Sequence, residues 1–331
     1  MNPAGLFNED GLICVPDYGA VMENTLLPEL EKHRENRTVS GLGGIPLFCS
    51  LFRAEQPVVG TVVIIHGFTE NAFKYSEIIY SLLMNHFDVI AYDQRGHGRS
   101  WRAQGVTEPA LTHVDHFSDY VEDLRAVCEA LAPEFPRPWM CFSHSMGGAV
   151  TALYLEKYPD TFSAAAMCAP MIAPVTVGLP QGLVGSITRV ICLTGGGKRA
   201  PFFMKPHVMD DFNTSHSTDR ARFDWYNAKR VACREFHNDI PTYGWIAEAS
   251  SVTRKILRPG VPESVACPVL LSTAELDKAV RPVPQEEFIT RVPKGTHILV
   301  KEARHEIFRS SDKVLFPWWH QNLLFLKEAA E

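Results

Sequence analysis

Runs of apolar residues separated by polar, turn-forming stretches divide the chain into alternating strands and helices with one long interruption. Ile45 to Phe52 and Val58 to Ile65 read as strands, the second a nearly unbroken β-branched run of the kind buried on both faces of a parallel sheet. A helix fits Tyr75 to Asn85, Val89 to Tyr92 is the next strand, and Phe117 to Leu131 repeats apolar residues at helical spacing. Pro138 to Phe142 is a compact apolar strand, and Gly148 to Tyr158 carries Ala149, Ala152, Leu153 and Leu155 on a helix that Pro159 stops. Ala164 to Cys168 supplies another strand. This alternation predicts an α/β chain built on a mainly parallel, doubly wound sheet.

The pattern breaks near Pro170 and resumes at Pro268 to Ser272, followed by a strand at Ile298 to Val300 and an amphipathic terminal helix from Val314 to Glu331. Between the two halves, Met171 to about Ser250 is rich in Gly, Pro, aromatic and basic residues. An insertion that leaves and re-enters a sheet in this way predicts a helical cap over the strand C-termini, the edge at which open α/β sheets bind ligands. The expected organisation is therefore a core in two parts, 1–170 and 251–331, with a cap at 171–250. Residues 1–36 read as a polar, mixed extension with one short helix around Leu26 to Arg34 and no recognisable chemistry.

Composition narrows the partners. With 46% hydrophobic and 21% charged residues in 331, the chain is globular and large enough for one sizeable core. A formal net charge of −6 supplies no broad basic field, which argues against nucleic acid as a partner. The 8 cysteines are scattered, with neither a C-x-x-C pair nor metal-ligand spacing, and read as reduced core residues of a cytoplasmic protein. The first residues lack the basic-then-apolar signature of a secretory leader, and no apolar run approaches the ~18 residues of a membrane span. Peripheral contact with a bilayer stays open, as does the oligomeric state.

Candidate chemistry begins at Met140-Cys141-Phe142-Ser143-His144-Ser145-Met146-Gly147-Gly148, where a strand, a tight turn and a helix start follow one another. A serine on such a strained elbow is exposed as a nucleophile, and small residues must stand two positions to either side, as Ser143 and Gly147 do. A Ser-rich loop capping a helix is the bland alternative, which the flanking strand and helix disfavour. A serine hydroxyl also needs a base and a group that orients the base. After the strand Pro268 to Ser272, Asp277 sits deeper in the loop than its rival Glu275 and precedes the apolar Val280, which can anchor that loop. His305, just past the strand that ends near Val300, is the expected base, whereas His144 is expected to point away from the site. The backbone N–H groups of Phe68 and Met146 are the expected oxyanion donors. Asp119 and Asp123, one helical turn apart, mimic a metal pair but lack a third ligand and read as structural. Nothing in the sequence calls for a metal or an organic cofactor.

Five segments together carry a resemblance: His66-Gly67-Phe68, Asp93 to Ser100, Ser143 to Gly148, Asp277 to Val280 and Arg304-His305-Glu306. They resemble the capped α/β-hydrolases of the monoacylglycerol lipase and lysophospholipase group, over most of residues 40 to 325. Phe117 to Leu124 and Pro241 to Trp245 resemble the bacterial lysophospholipase branch of that group. The resemblance implies an α/β-hydrolase fold, a Ser145-Asp277-His305 triad and hydrolysis of a single-chain lipid ester such as a lysophospholipid or a monoacylglycerol. It also implies that Asp93 to Ser100 supports the loop beneath the site without taking part in catalysis. The cap interleaves Phe202, Phe203, Met204, Phe212, Phe223, Trp225 and Tyr226 with Lys198, Arg199, Lys205, Arg220, Arg222, Lys229 and Arg230, a pattern that suits either a phosphate headgroup or an ordinary solvated exterior. An imidazole base must be neutral to accept the serine proton, so activity is expected to fall in mildly acidic solution. An acyltransferase using the same triad and a ligand-binding relative without chemistry remain as alternatives. Ser145 argues against dehalogenases and epoxide hydrolases, which place a carboxylate at the elbow.

Overall fold

The computed structural model describes residues 5–331 apart from 107, 109, 177 and 206–209. In chain order the strands are β1 (Arg34–Ser40), β2 (Pro46–Phe52), β3 (Gly60–Ile65), β4 (Phe87–Tyr92), β5 (Leu111–Thr112), β6 (Trp139–His144), β7 (Ala164–Cys168), β8 (Ile240–Pro241), β9 (Val269–Ala274) and β10 (Gly295–Val300). Eight of them form one sheet in the order β1-β2-β4-β3-β6-β7-β9-β10. β1 and β2 run antiparallel to each other, β2 runs antiparallel to β4, and the remaining pairs are parallel. The parallel part explains the β-branched runs: with helices on both faces, neither side of a central strand meets water.

Side-chain alternation divides the interior into two layers. From β3, Val63 and Ile65 enter one layer while Val62 and Ile64 enter the other; Ile90 and Tyr92 of β4 part in the same way from Val89 and Ala91. The first layer is covered by the helices Ser118–Leu131, Met146–Lys157, Tyr243–Ile256 and Pro282–Arg291. The second is covered by Ser76–Met84 and the terminal helix Asp312–Glu328, whose Trp318, Trp319 and Leu323 are buried.

The structure corrects the reading of the first 36 residues as a polar extension. Phe7, Leu12, Ile13, Tyr18, Val21, Met22, Leu26 and Leu30 are buried in the second layer, and the chain is helical from Tyr18 to His33. Their apolar spacing is broken by charged residues and a π-type turn at Met22–Leu26, which hid it from a 3.6-residue pattern. β1 also escaped notice, because this edge strand buries only Val39 and so shows no alternation.

Between β7 and β9 the chain forms the helices Gln181–Ile191, Arg220–Ala232 and Tyr243–Ile256. Residue 250 lies inside the last of these, whose Trp245, Ala249, Val252 and Ile256 pack into the first core layer. β8 of this segment pairs with β5, Leu111 opposite Ile240, tying it to the loop that precedes helix Ser118–Leu131.

The order β4-β3-β6 matters for function. From β3 the chain goes to β4 on one side and then crosses to β6 on the other, so the loops leaving β3 and β6 diverge and open a crevice at their C-terminal ends. Ile65 is level with Ser143 in the β3–β6 pair, which brings His66-Gly67-Phe68 alongside Ser145.

Candidate active site

β6 ends at His144 and the helix Met146–Lys157 begins two residues later, so the direction of the chain reverses on Ser145 alone. Its backbone takes φ 49°, ψ −116°, a left-handed conformation that costs a non-glycine residue about 1–3 kcal/mol. Backbone hydrogen bonds hold it there, among them one from the Ala149 N–H to the Ser145 carbonyl at 3.3 Å. The Ser145 N–H donates to the Cys168 carbonyl at 3.1 Å, and its own carbonyl accepts from Gly148 at 2.9 Å and Met171 at 2.8 Å. A Cβ on Gly147 would stand 2.0 Å from the Ile65 carbonyl oxygen, and one on Gly148 would stand 2.4 Å from Pro170 Cβ. Gly147 thus lets the helix N-terminus approach β3, and Gly148 lets it approach the turn after β7. On the other side of the turn, the Ser143 hydroxyl is buried with no hydrogen-bond partner among the described residues.

The three expected side chains meet. His305 Nε2 lies 2.8 Å from Ser145 Oγ, and His305 Nδ1 lies 2.7 Å from Asp277 Oδ2. The other oxygen, Asp277 Oδ1, accepts the N–H groups of Ala279 at 2.8 Å and Val280 at 3.0 Å, so the loop after β9 closes around its own carboxylate. Burial pushes this carboxyl up, but His305 and the two amides outweigh it and hold it below the ordinary carboxylate range. The rival Glu275 turns elsewhere, accepting the Glu302 N–H at 2.8 Å.

Phe68 follows β3, and Met146 is the first residue of the elbow helix; no acceptor among the described residues takes either N–H. Gly67 between them is cramped, since a Cβ there would lie 3.0 Å from His144 Nδ1 and 3.1 Å from Ser145 Cβ. The Phe68 ring packs on Trp245 with centroids 4.1 Å apart.

His144 does not point away from the site. It lies directly behind His305, ring centroids 4.7 Å apart, with Nε2 3.1 Å from the His305 carbonyl and Nδ1 3.1 Å from Glu70 Oε2. Both partners accept only, so the ring must donate from both nitrogens and carry a positive charge. Burial lowers the His144 pKa, and Glu70 more than reverses that, leaving it raised. Glu70 is the hub of this layer. Its Oε2 also accepts the Gly67 N–H at 2.7 Å and the Tyr75 hydroxyl at 2.6 Å, while Oε1 receives Lys74 Nζ at 2.9 Å. Lys74 reaches on to Glu306 at 2.6 Å, whose other oxygen binds Arg309 at 2.6 Å. Burial opposes ionisation of Glu306, yet Lys74 and Arg309 bring its carboxyl down to about 2. Sequence reasoning missed this network; its only local traces are the spacings Glu70–Lys74 and Glu306–Arg309.

Asp119 and Asp123 turn out to be the two carboxylates of one arginine, with Arg95 Nη1 2.9 Å from Asp119 and Arg95 Nε 2.5 Å from Asp123. Asp93 supports the turn that follows it, accepting the N–H of Ala72 and of Arg99, each at 2.8 Å. Among the described residues, the side chains close enough together to share a metal ion are Glu9, Asp10 and His320, where His320 Nδ1 already bonds Asp10 at 3.0 Å. No described helix is long and apolar enough to cross a membrane. Beside His305 and Phe68, a polar cavity of about 320 Å³ is lined by Thr69, Lys74, His216, Tyr226, Glu306 and Arg309 among others.

Comparison with known proteins agrees with this architecture. Residues 56–312 match the family Hydrolase_4, described as serine aminopeptidase, S33. Lysophospholipase L2 of Escherichia coli K12 is 29% identical over 313 residues, covering 86% of this chain and 85% of that protein. A monoacylglycerol lipase of Mycolicibacterium smegmatis is 29% identical over 157 residues, 45% of this chain and 54% of its own length. The crystal structure of a soluble variant of yeast monoglyceride lipase superposes with a TM-score of 0.69 at 19% identity, covering 90% of this chain and 96% of that one. The matched segment contains Phe68, Ser145, Asp277 and His305, and with the parallel sheet beneath them it makes this chain a hydrolase of the α/β-hydrolase fold, belonging to the Hydrolase_4 family.

Proposed function

We propose that the protein is a serine carboxylester hydrolase acting on single-chain lipid esters, with Ser145 as nucleophile, His305 as general base and acid, and Asp277 as the group that orients His305. The observation that carries this reading is the continuous hydrogen-bonded line from Asp277 through His305 to Ser145, at 2.7 and 2.8 Å. His305 Nε2 takes the hydroxyl proton as Ser145 Oγ attacks the ester carbonyl, and the ionised Asp277 stabilises the imidazolium that forms. The N–H groups of Phe68 and Met146 stabilise the oxyanion, each contributing on the order of 10²–10³ in rate. Collapse of the tetrahedral intermediate expels the alcohol, which His305 protonates; water then attacks the acyl-enzyme by the same route in reverse.

The insertion between β7 and the helix Tyr243–Ile256 acts as the cap, which ends before residue 250 because that helix packs into the core, and the cavity beside His305 receives the alcohol portion of the ester. Lysophospholipid and monoacylglycerol are the favoured substrates, supported by the names of the relatives from E. coli and M. smegmatis. The cations lining the cavity argue against a site tuned to a free phosphate. Lys74 and Arg309 already bind Glu306, and Arg230 binds Asp210 at 2.6 Å. A fluorophosphonate probe on the wild type and on Ser145→Ala, beside hydrolysis of lysophosphatidylcholine and monoacylglycerol, tests the assignment. Labelling and turnover should vanish together in the variant; folded wild-type protein that resists the probe overturns the mechanism.

A further inference from the structure

The insertion is divided in its chemistry. From Met171 to Met209 the sequence contains Arg189, Lys198, Arg199 and Lys205 and not one Asp or Glu, in a chain whose net charge is −6. Those four side chains are exposed, and none is paired with a carboxylate among the described residues. The cations of the next stretch behave differently: Arg220 binds Asp224, Arg222 binds Glu77, Lys229 binds Glu23 and Arg230 binds Asp210.

The acid-free stretch also carries a concentration of exposed apolar side chains. Helix Gln181–Ile191 is inverted relative to an ordinary surface helix. It buries Thr188 and packs Gly185 against Ser250, while Leu183, Ile187 and Val190, spaced four and three residues apart, face solvent. Leu193 is 83% exposed, Phe202 88% and Phe203 67%, with the two phenylalanine rings 5.3 Å apart between Arg199 and Lys205. Backbone bonds fix this surface to the helix Tyr243–Ile256, through Gly244 N–H to the Gly197 carbonyl at 2.8 Å and Tyr243 N–H to the Arg199 carbonyl at 3.0 Å. The patch is thus presented on a defined scaffold, and folding does not cover it.

We propose that residues 179–205 form a docking surface for an anionic lipid bilayer. Leu183, Ile187, Val190, Leu193, Phe202 and Phe203 enter the acyl boundary, and the four cations meet the acidic headgroups. An apolar face bordered by Lys and Arg that meet no carboxylate among the described residues matches the two forces that hold a protein at such an interface, and the absence of carboxylates from the stretch removes the repulsion that the rest of this acidic chain would suffer there. The surface goes beyond the hydrolase reading and does not depend on it.

The test measures binding with hydrolysis removed: full-length Ser145→Ala is sedimented with vesicles of phosphatidylcholine alone or mixed with phosphatidylglycerol. Binding should be strong on the mixed vesicles, weak on phosphatidylcholine, and largely abolished by 0.5 M salt, where the Debye length shrinks to roughly half its physiological ~8 Å. Adding Lys198→Glu and Arg199→Glu should cut partitioning onto anionic vesicles by at least about 20-fold, since each lost cation is worth roughly fivefold. Phe202→Ser with Phe203→Ser should weaken binding to both kinds of vesicle. Thermal melting confirms that each variant is folded. Equal binding to both vesicle types, unaltered binding by folded variants, or a concentration-dependent dimer that buries the patch overturns the proposal. The Ser145→Ala background keeps these outcomes separate from any failure of the catalytic assignment.

Discussion

Gly147→Ala adds one methyl group at the tightest point of the structure. The new Cβ would stand 2.0 Å from the Ile65 carbonyl oxygen and 2.7 Å from that of His66, both backbone atoms at the end of β3. Neither can swing aside as a side chain can, and restoring ordinary contact requires the elbow helix and β3 to separate by roughly 1 Å or more. The separation opens the gap between Met146 on the helix and Phe68 beyond β3, whose N–H groups converge on one oxygen in the proposed mechanism. A misplacement of about 1 Å at a reacting centre costs on the order of 10²-fold, and the overpacking costs about 1–3 kcal/mol of stability. The assay is kcat/KM on a short soluble ester, with urea unfolding of the same samples. Ser143→Ala is the matched control two residues before the nucleophile. Its hydroxyl is buried and unpartnered, so removing it should leave stability equal or slightly greater and activity within about threefold. A folded Gly147→Ala enzyme with kcat/KM within threefold of wild type would refute the argument that backbone proximity sets the oxyanion site.

Two further outcomes follow from the layer beneath the triad. Glu70→Gln removes the counter-ion of His144 and one of the two carboxylates on buried Lys74, and should destabilise the fold by about 3–5 kcal/mol in urea titration; a loss under about 1 kcal/mol contradicts the network. Because that carboxylate also holds the Gly67 N–H, kcat should fall more than KM rises. The raised pKa of His144 sets a pH dependence. Protons bind more tightly in the folded state, so the stabilisation is complete below the ordinary imidazole value of about 6.5 and is lost as pH climbs through the higher folded value. Stability should therefore decline into alkaline solution, and His144→Asn should flatten that decline; an unchanged profile in the variant sinks the assignment of an imidazolium.

Much of the architecture was legible because its signals are local. A strand buried on both faces must be apolar throughout, so Val62 to Ile65 could be read directly. The elbow was legible for a similar reason: only small residues fit around Ser145, and Gly147 and Gly148 record that constraint in the sequence. Asp277 and His305 were recognisable from their order and their places after strands, and the structure brings both to Ser145. The first 36 residues were misread because their burial depends on a surface supplied by Ile78, Tyr80 and Trp319, far away in the chain.

What the sequence by itself determined about this protein is the alternation that makes the sheet and the identity of the residues at its C-terminal edge, since both follow from neighbours a few positions apart. Tertiary structure alone decided which charges have partners. Glu70 faces His144 across 74 positions and Lys74 faces Glu306 across 232, so no spacing rule can register them. The same holds for the insertion, where Arg222 and Lys229 look like Lys198 and Arg199 in sequence. The first two are satisfied by Glu77 and Glu23, while among the described residues the other two meet no carboxylate and Lys198 has only the Gln104 carbonyl at 2.8 Å, because only the folded core brings carboxylates to one side of the cap.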